Sequence, residues 1–133
     1  MADVLKFSIP GKQEYVQMVR LAIASIAGKA NFNVEAVEDI KEAVSEACKI
    51  VFCHGKLGFS DRYEIICEVE EDSITITASD ACHDVKHVDE DFSCSQCPNE
   101  GKLAVSVMES LMDDVKVEFN LGGNKIIKMV KNK

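Results

Sequence analysis

The chain has 133 residues, 47% of them hydrophobic, and 23 acidic side chains against 15 Lys and Arg give a formal net charge of −8 at pH 7. We expect one domain, residues 1–133, that is long enough to bury a core, and the scattered basic side chains argue against binding to a nucleic-acid backbone. There is no apolar run of roughly 18 residues to span a membrane and no signal-peptide pattern, so we expect a cytoplasmic protein whose partners are proteins or small ligands.

A strand and an amphipathic helix are predicted at the start of the chain. Asp3–Ile9 alternates weakly between apolar and polar side chains and is followed by a Pro-Gly pair, which indicates an opening strand at a sheet edge. From Gln13 to about Ala27 apolar side chains recur at helical spacing, and Gly28 follows as the expected terminator of this helix.

The stretch from Asn33 to Gly55 predicts a second helix of about five turns. Asn33 suits the amino-terminal cap, and Gly55 supplies a stop. Glu46 and Ile50 lie one turn apart on the shoulder of the apolar stripe, where a functional side chain would border a pocket; the alternative for Glu46 is a solvated helix carboxylate. The stripe itself consists of Val37, Ile40, Ala43, Val44, Ala47, Cys48 and Val51.

Two hairpins and a third helix complete the predicted elements. The strands are Tyr63–Val69, Ser73–Ala78, Val115–Phe119 and Lys125–Val130, and the helix is Leu103–Met112, with Met108 and Met112 as core residues. Asp80–Gly101 is about 20 residues of polar loop, a length that is usually functional or disordered. Helices between runs of antiparallel strands favour an α/β (α+β) two-layer sandwich, in which a mixed, mostly antiparallel sheet is covered on one face by helices.

Three of the six cysteines fall in predicted elements. Cys48 and Cys53 belong to the second helix and Cys67 to a strand, each among apolar neighbours. Buried free thiols explain them better than a disulfide framework, which is typical of small secreted proteins.

The long loop concentrates potential metal ligands: Cys82, His83, His87, Cys94 and Cys97. Four such side chains would surround zinc tetrahedrally, but their irregular spacing is permissive rather than diagnostic. A reversible disulfide between Cys94 and Cys97, giving a thiol sensor, is a second reading. A mobile acidic loop with incidental thiols is the third.

Three stretches carry a family resemblance: Ile9–Val16 leading into Val19–Leu21, then Val37–Cys48, and finally Glu109–Val115. In these stretches and in element order the chain resembles the bacterial anti-sigma-factor serine kinases, which have the histidine-kinase-like (GHKL) ATPase fold. The resemblance implies a homodimeric transcription regulator that holds a sigma factor and phosphorylates an anti-anti-sigma (STAS) protein with ATP and Mg²⁺.

The resemblance also assigns nucleotide-site roles to the second helix. Glu46 falls on the family's candidate general base, and His54 with Gly55 matches its His-Gly pair. Ile50 stands where the family has the Asn that holds Mg²⁺ between the phosphates. An alkyl group offers no oxygen to a hard cation, so the magnesium role does not carry over to this residue.

The later nucleotide motifs are also altered. Asp80 falls on the family's adenine-binding Asp, but Cys82 and Asp84 replace the two glycines that follow it, and glycine is what permits close approach of backbone to ligand. The next Gly-x-Gly falls on 102–104, where Lys102 would contact phosphate as a point charge. His54 is the third residue that we assign to the nucleotide site.

These departures predict a regulator that binds a sigma factor, an anti-anti-sigma protein or both, on a serine/threonine kinase scaffold with a degenerate ATP site. One alternative is an active serine/threonine kinase that uses Glu46 as its base and some substitute ligand for Mg²⁺. Another is a metal or thiol sensor built on the segment Cys82–Cys97.

Overall fold

A computed structural model of the chain describes residues 2–10, 12–51, 63–80, 105–119 and 125–133. In chain order the elements are β1 (Asp3–Ile9), α1 (Gln13–Lys29), α2 (Val34–Val51), β2 (Tyr63–Val69), β3 (Ser73–Asp80), α3 (residues 105–111), β4 (Asp114–Phe119) and β5 (Lys125–Asn132). The strands form one sheet in the order β1-β2-β3-β5-β4, and every neighbouring pair is antiparallel. This is an α+β fold, as the sequence predicts.

The core lies between the helices and one face of the sheet. The strand register aligns Ile65, Ala78 and Ile127 across β2, β3 and β5, and all three are buried. The next position along β5, Lys128, is exposed on the opposite face. Because α2 packs against β3 and β5 while α1 packs against α2, the helices cover the apolar face, which confirms the two-layer arrangement.

Asn33 caps α2 as predicted. Its Oδ1 accepts a hydrogen bond of 2.8 Å from the backbone N–H of Ala36, and its carbonyl accepts one of 2.9 Å from the N–H of Val37. The first-turn amides of a helix have no partner within the helix, so this side chain satisfies one of them. The predicted stop at Gly55 lies outside the described residues.

The prediction that Gly28 ends α1 is wrong. The helix continues through Lys29, and the residue in the left-handed region is Asn31, with φ 70°. Asn31 N–H then bonds to the Gly28 carbonyl at 3.2 Å, and Phe32 N–H bonds to the Ala27 carbonyl at 3.2 Å. This is a Schellman ending whose apolar contact is the buried Phe32, and asparagine supplies the positive φ usually left to glycine.

The five predicted strands are all present, with small extensions. β3 runs two residues beyond Ala78 to Asp80, and β5 runs two residues beyond Val130 to Asn132. The predicted third helix is described over 105–111, and Met108 and Met112 are both buried. Among the described residues, no helix is both long enough and apolar enough to cross a membrane.

Candidate functional site

The second half of α2 and the end of β3 form the described part of the predicted nucleotide site. Asp39, near the beginning of α2, lies 3.4 Å from Lys131, which is the register partner of Ile74 at the start of β3. α2 packs against β3 and β5, and Glu46 lies about two turns beyond Asp39 along the helix. Asp80 is the last residue of β3 and is the register partner of Tyr63 in β2.

Glu46 is shielded from solvent although its side chain is ionisable. Only 16% of the side chain is exposed, and its Oε2 accepts a hydrogen bond of 3.2 Å from the ammonium group of Lys49, which is 64% exposed. Lys49 therefore reaches the carboxylate from the solvent side. This agrees with the predicted shoulder position and not with a freely solvated carboxylate.

Much of the predicted site lies outside the described residues. This applies to His54 and Lys102 of the nucleotide site and to the five candidate zinc ligands, Cys82, His83, His87, Cys94 and Cys97. Their roles stay predictions. In the part of the chain that is described, no group of three or more His, Cys, Asp or Glu side chains is arranged to hold a metal ion.

The donor set on α2 does not fit a magnesium ion bound to nucleotide. Mg²⁺ takes oxygen ligands in a near-octahedral arrangement. Position 50, one turn after Glu46, carries an alkyl side chain by sequence, and the Glu46 carboxylate already pairs with Lys49 at 3.2 Å. This stretch of helix thus offers a single carboxylate that is already charge-paired.

Cys48 of α2 and Cys67 of β2 are buried free thiols, as predicted, and Cys53, for which the same was predicted, lies outside the described residues. Burial raises the pKa of Cys48 from 9.0 to about 12. Burial, together with the nearby charge of Glu68, raises the pKa of Cys67 from 9.0 to about 11. Thiolates are the reactive form, so both side chains are inert packing groups at neutral pH.

The outer surface of α1 was not singled out by sequence reasoning. Met18 and Leu21, one turn apart, are each 61% exposed. They fall outside the buried stripe that contains Val16, Val19 and Ile23, so apolar residues on the polar side of the helix were the available signal. We call Met18 and Leu21 the α1 patch.

Arg20 lies on the flank of α1 that faces α2. Its Nη2 is 3.4 Å from Glu42 Oε1, a long contact, and its Nε is buried without a hydrogen-bond partner among the described residues. A buried donor without a partner is unfavourable. The Arg20 side chain borders the α1 patch, is 25% exposed and is charge-paired with Glu42.

An open cleft of about 650 Å³ lies at the other end of the sheet from Asp80. Four acidic side chains line it, and Lys133 is the basic residue among its lining side chains. Excess negative charge disfavours phosphates. The lining acidic residues are Asp3, Glu70, Glu71 and Asp72.

Comparison with known proteins agrees with the fold. Residues 9–131 match the family described as the histidine kinase-like ATPase domain. The serine-protein kinase RsbW of Bacillus pumilus is 34% identical over 90% of this chain and 81% of its own length. The protein of the same name from Listeria monocytogenes serotype 4b is 35% identical over 92% of this chain and 83% of its own length.

A solved structure shares the fold. The crystal structure of the RsbU and RsbW domains of Rv1364c from Mycobacterium tuberculosis superposes with a TM-score of 0.71 at 11% identity. The match covers 98% of this chain and 32% of that chain, so this chain spans about a third of the longer protein. At such low identity the likeness concerns the fold alone.

Proposed function

The chain belongs to the histidine kinase-like ATPase domain family, and on that premise we propose that it is an anti-sigma-factor-like regulator that acts by binding other proteins. Its proposed partners are a sigma factor, an anti-anti-sigma (STAS) protein or both. We further propose a single-domain, cytoplasmic homodimer with a degenerate ATP site. The resemblance to anti-sigma-factor serine kinases and the relatives named serine-protein kinase support this proposal.

The observation that carries the proposal is the exposed α1 patch. Met18 and Leu21 present apolar side chains to water at 61% exposure, one helical turn apart. Burying these side chains under a partner removes their apolar surface from water, which is favourable, and Met and Arg are enriched at protein–protein interfaces. Arg20, whose side chain is 25% exposed and lies 3.4 Å from Glu42, supplies the polar neighbour.

The degenerate ATP site is supported by the residues of α2. The Asn expected at position 50 is Ile, and Glu46 is held by Lys49 at 3.2 Å. Cys82 and Asp84 replace two further motif glycines in the sequence. Ile50 offers no oxygen ligand to Mg²⁺, Cys82 and Asp84 lack the backbone freedom of glycine, and Asp84 adds a negative charge that repels phosphate.

The test is a binding survey with matched variants. Each sigma factor and each STAS protein of the source genome is titrated individually against the purified chain by isothermal calorimetry. For a partner that binds, we expect Met18→Ser/Leu21→Ser to weaken binding by at least about tenfold, because two apolar contacts are lost. Val34→Ser is the control, since Val34 is 80% exposed at the start of α2, away from the α1 patch.

Two results would contradict this proposal. One is a survey in which no sigma factor and no STAS protein binds. The other is a partner whose affinity changes equally in the α1-patch variant and in the Val34 variant, because the surface effect would then be unspecific. Circular dichroism of each variant confirms that the fold is retained.

An active serine kinase is the second candidate, favoured by the names of the relatives. In that case Glu46 would be the general base, and a STAS protein would be phosphorylated on serine in the presence of ATP and Mg²⁺. Transfer of radiolabelled phosphate to a STAS partner by the wild type, lost in Glu46→Gln, would establish the kinase and reject the degenerate site. We expect no transfer.

A further inference from the structure

The ion pair between Glu46 and Lys49 is the feature of α2 that the family resemblance does not account for. Residues three and four positions apart are neighbours on a helix surface, so positions 49 and 50 both adjoin Glu46 on the following turn. One of these positions carries an ammonium group and the other an alkyl group. Glu46 therefore has an ammonium group beside it, on the solvent-facing side of the carboxylate.

The burial of the two partners shows how the pair is arranged. The Glu46 side chain is 16% exposed and the Lys49 side chain 64%, with 3.2 Å between Nζ and Oε2. Lys49 thus covers the carboxylate from solvent. A divalent cation approaching Glu46 from solvent meets this ammonium first, and the like charges repel, more strongly in a shielded site than in bulk water.

We propose that Lys49 is a tethered counter-ion of Glu46 that excludes divalent metal from this part of α2. Two residues, Lys49 and Ile50, then separate this site from a metal-dependent one. The first occupies the carboxylate, and the second withholds an oxygen ligand. This inference rests on the proposed function only in placing positions 46–50 at the nucleotide site.

The first experiment follows Mn²⁺, a paramagnetic probe, without nucleotide. Amide resonances of residues 46–50 are recorded by NMR while Mn²⁺ is titrated into the wild type and into Lys49→Gln. We expect Lys49→Gln to broaden these signals at a Mn²⁺ concentration about tenfold lower than the wild type requires. Equal broadening in the two proteins overturns the proposal.

The chain offers a matched control on the same helix. Lys41 pairs with Glu38 at 3.2 Å with the same spacing of three residues, and it lies about two turns before Lys49. Lys41→Gln removes one positive charge from α2, so it changes net charge as Lys49→Gln does. If it sensitises residues 46–50 to Mn²⁺ equally, the effect belongs to net charge and the proposal fails.

The second experiment measures ADP binding by calorimetry, with Mg²⁺ or with EDTA. Four proteins are compared: wild type, Lys49→Gln, Ile50→Asn and Lys49→Gln/Ile50→Asn. We expect Mg²⁺ to tighten ADP binding by about tenfold or more only in the double variant, since both obstacles must be removed. Thermal melts verify that each variant folds.

Three outcomes of this second experiment overturn the proposal. The first is a magnesium effect in the wild type, the second is a full magnesium effect in Ile50→Asn alone, and the third is the absence of the effect in the double variant. The substitutions at positions 49 and 50 lie outside the α1 patch, so a partner-binding measurement on Lys49→Gln tests the proposed function separately. We expect that variant to bind a partner with wild-type affinity.

Discussion

Lys131 donates a hydrogen bond of 2.6 Å from its Nζ to the main-chain carbonyl of Leu111 at the end of α3. The same ammonium group lies 3.4 Å from Asp39 Oδ2 on α2. Carbonyls in the last turn of a helix have no partner within the helix. A single side chain of β5 therefore fastens two helices to the sheet.

Replacing Lys131 with Met is expected to lower the free energy of unfolding by about 1–3 kcal/mol, because the Leu111 carbonyl loses its charged donor and Asp39 its cation. Urea denaturation measures this loss. Lys128→Met is the control, since Lys128 is exposed on the opposite face of the same strand. Equal stability of the two variants would show that the contacts of Lys131 with Leu111 and Asp39 contribute nothing.

Replacing Gly28 with Ala is expected to raise the free energy of unfolding by about 0.5–1 kcal/mol, because alanine is the better helix former. Gly28 lies within α1, and a Cβ at this position meets no atom within 4 Å. Asn31→Ala should have the opposite effect, since alanine disfavours the φ of 70° found there. Thermal melts of both variants decide this, and a destabilised Gly28→Ala would contradict the assigned helix end.

The buried thiols predict selective resistance to alkylation. Folded protein treated with iodoacetamide at pH 8 should remain unmodified at Cys48 and Cys67, whose pKa values are raised by burial to about 12 and about 11. In urea both should react fully. Mass spectrometry of the peptides identifies each site, and rapid modification of either cysteine in the folded state would refute its burial.

The same thiols give stability a defined dependence on pH. Below pH 9.0 both states keep the Cys48 proton; between 9.0 and about 12 the unfolded thiol ionises while the folded one does not. The unfolded state then binds fewer protons, so the free energy of unfolding falls as pH rises. Relative to wild type, Cys48→Ala should lose less stability between pH 9 and 11, and an identical pH dependence would contradict this.

If the metal-sensor alternative is right and its ligands come from Cys82, His83, His87, Cys94 and Cys97, the protein purified without chelator should carry about one zinc ion per chain. Elemental analysis measures the metal, and Cys94→Ser/Cys97→Ser should remove it. If the wild type contains no zinc and all six cysteines titrate as free thiols in urea under air, both the zinc and the disulfide readings are rejected.

The elements could be predicted because local chemistry dictates them. In the strands apolar residues alternate with polar ones, and in α2 they recur at helical spacing; in both cases the apolar set is the buried one. Asn33 caps α2 through a local hydrogen bond, which needs only that the following residues are helical. The end of α1 was mispredicted because glycine and asparagine both accept positive φ. The choice of Asn31 depends on burying Phe32, which is a tertiary contact.

The candidate site was less accessible to sequence reasoning. The shoulder position of Glu46 follows from helical geometry, but its pairing with Lys49 depends on the burial of one partner and the exposure of the other. The α1 patch was missed because the packing of α2 against α1 decides which α1 side chains stay exposed. Strand order is likewise a property of the assembled sheet, since the chain-adjacent β3 and β4 are separated in space by β5.

That insertion of β5 has a consequence for biosynthesis. Within the described sheet β4 is hydrogen-bonded only to β5, and β3 has β5 as its second neighbour. A nascent polypeptide that has not yet released residues 125–132 from the ribosome leaves β3 open along one side and β4 without a partner. Nascent chains whose residues 125–132 are still inside the ribosome should therefore recruit chaperones, whereas chains in which these residues have emerged should escape them.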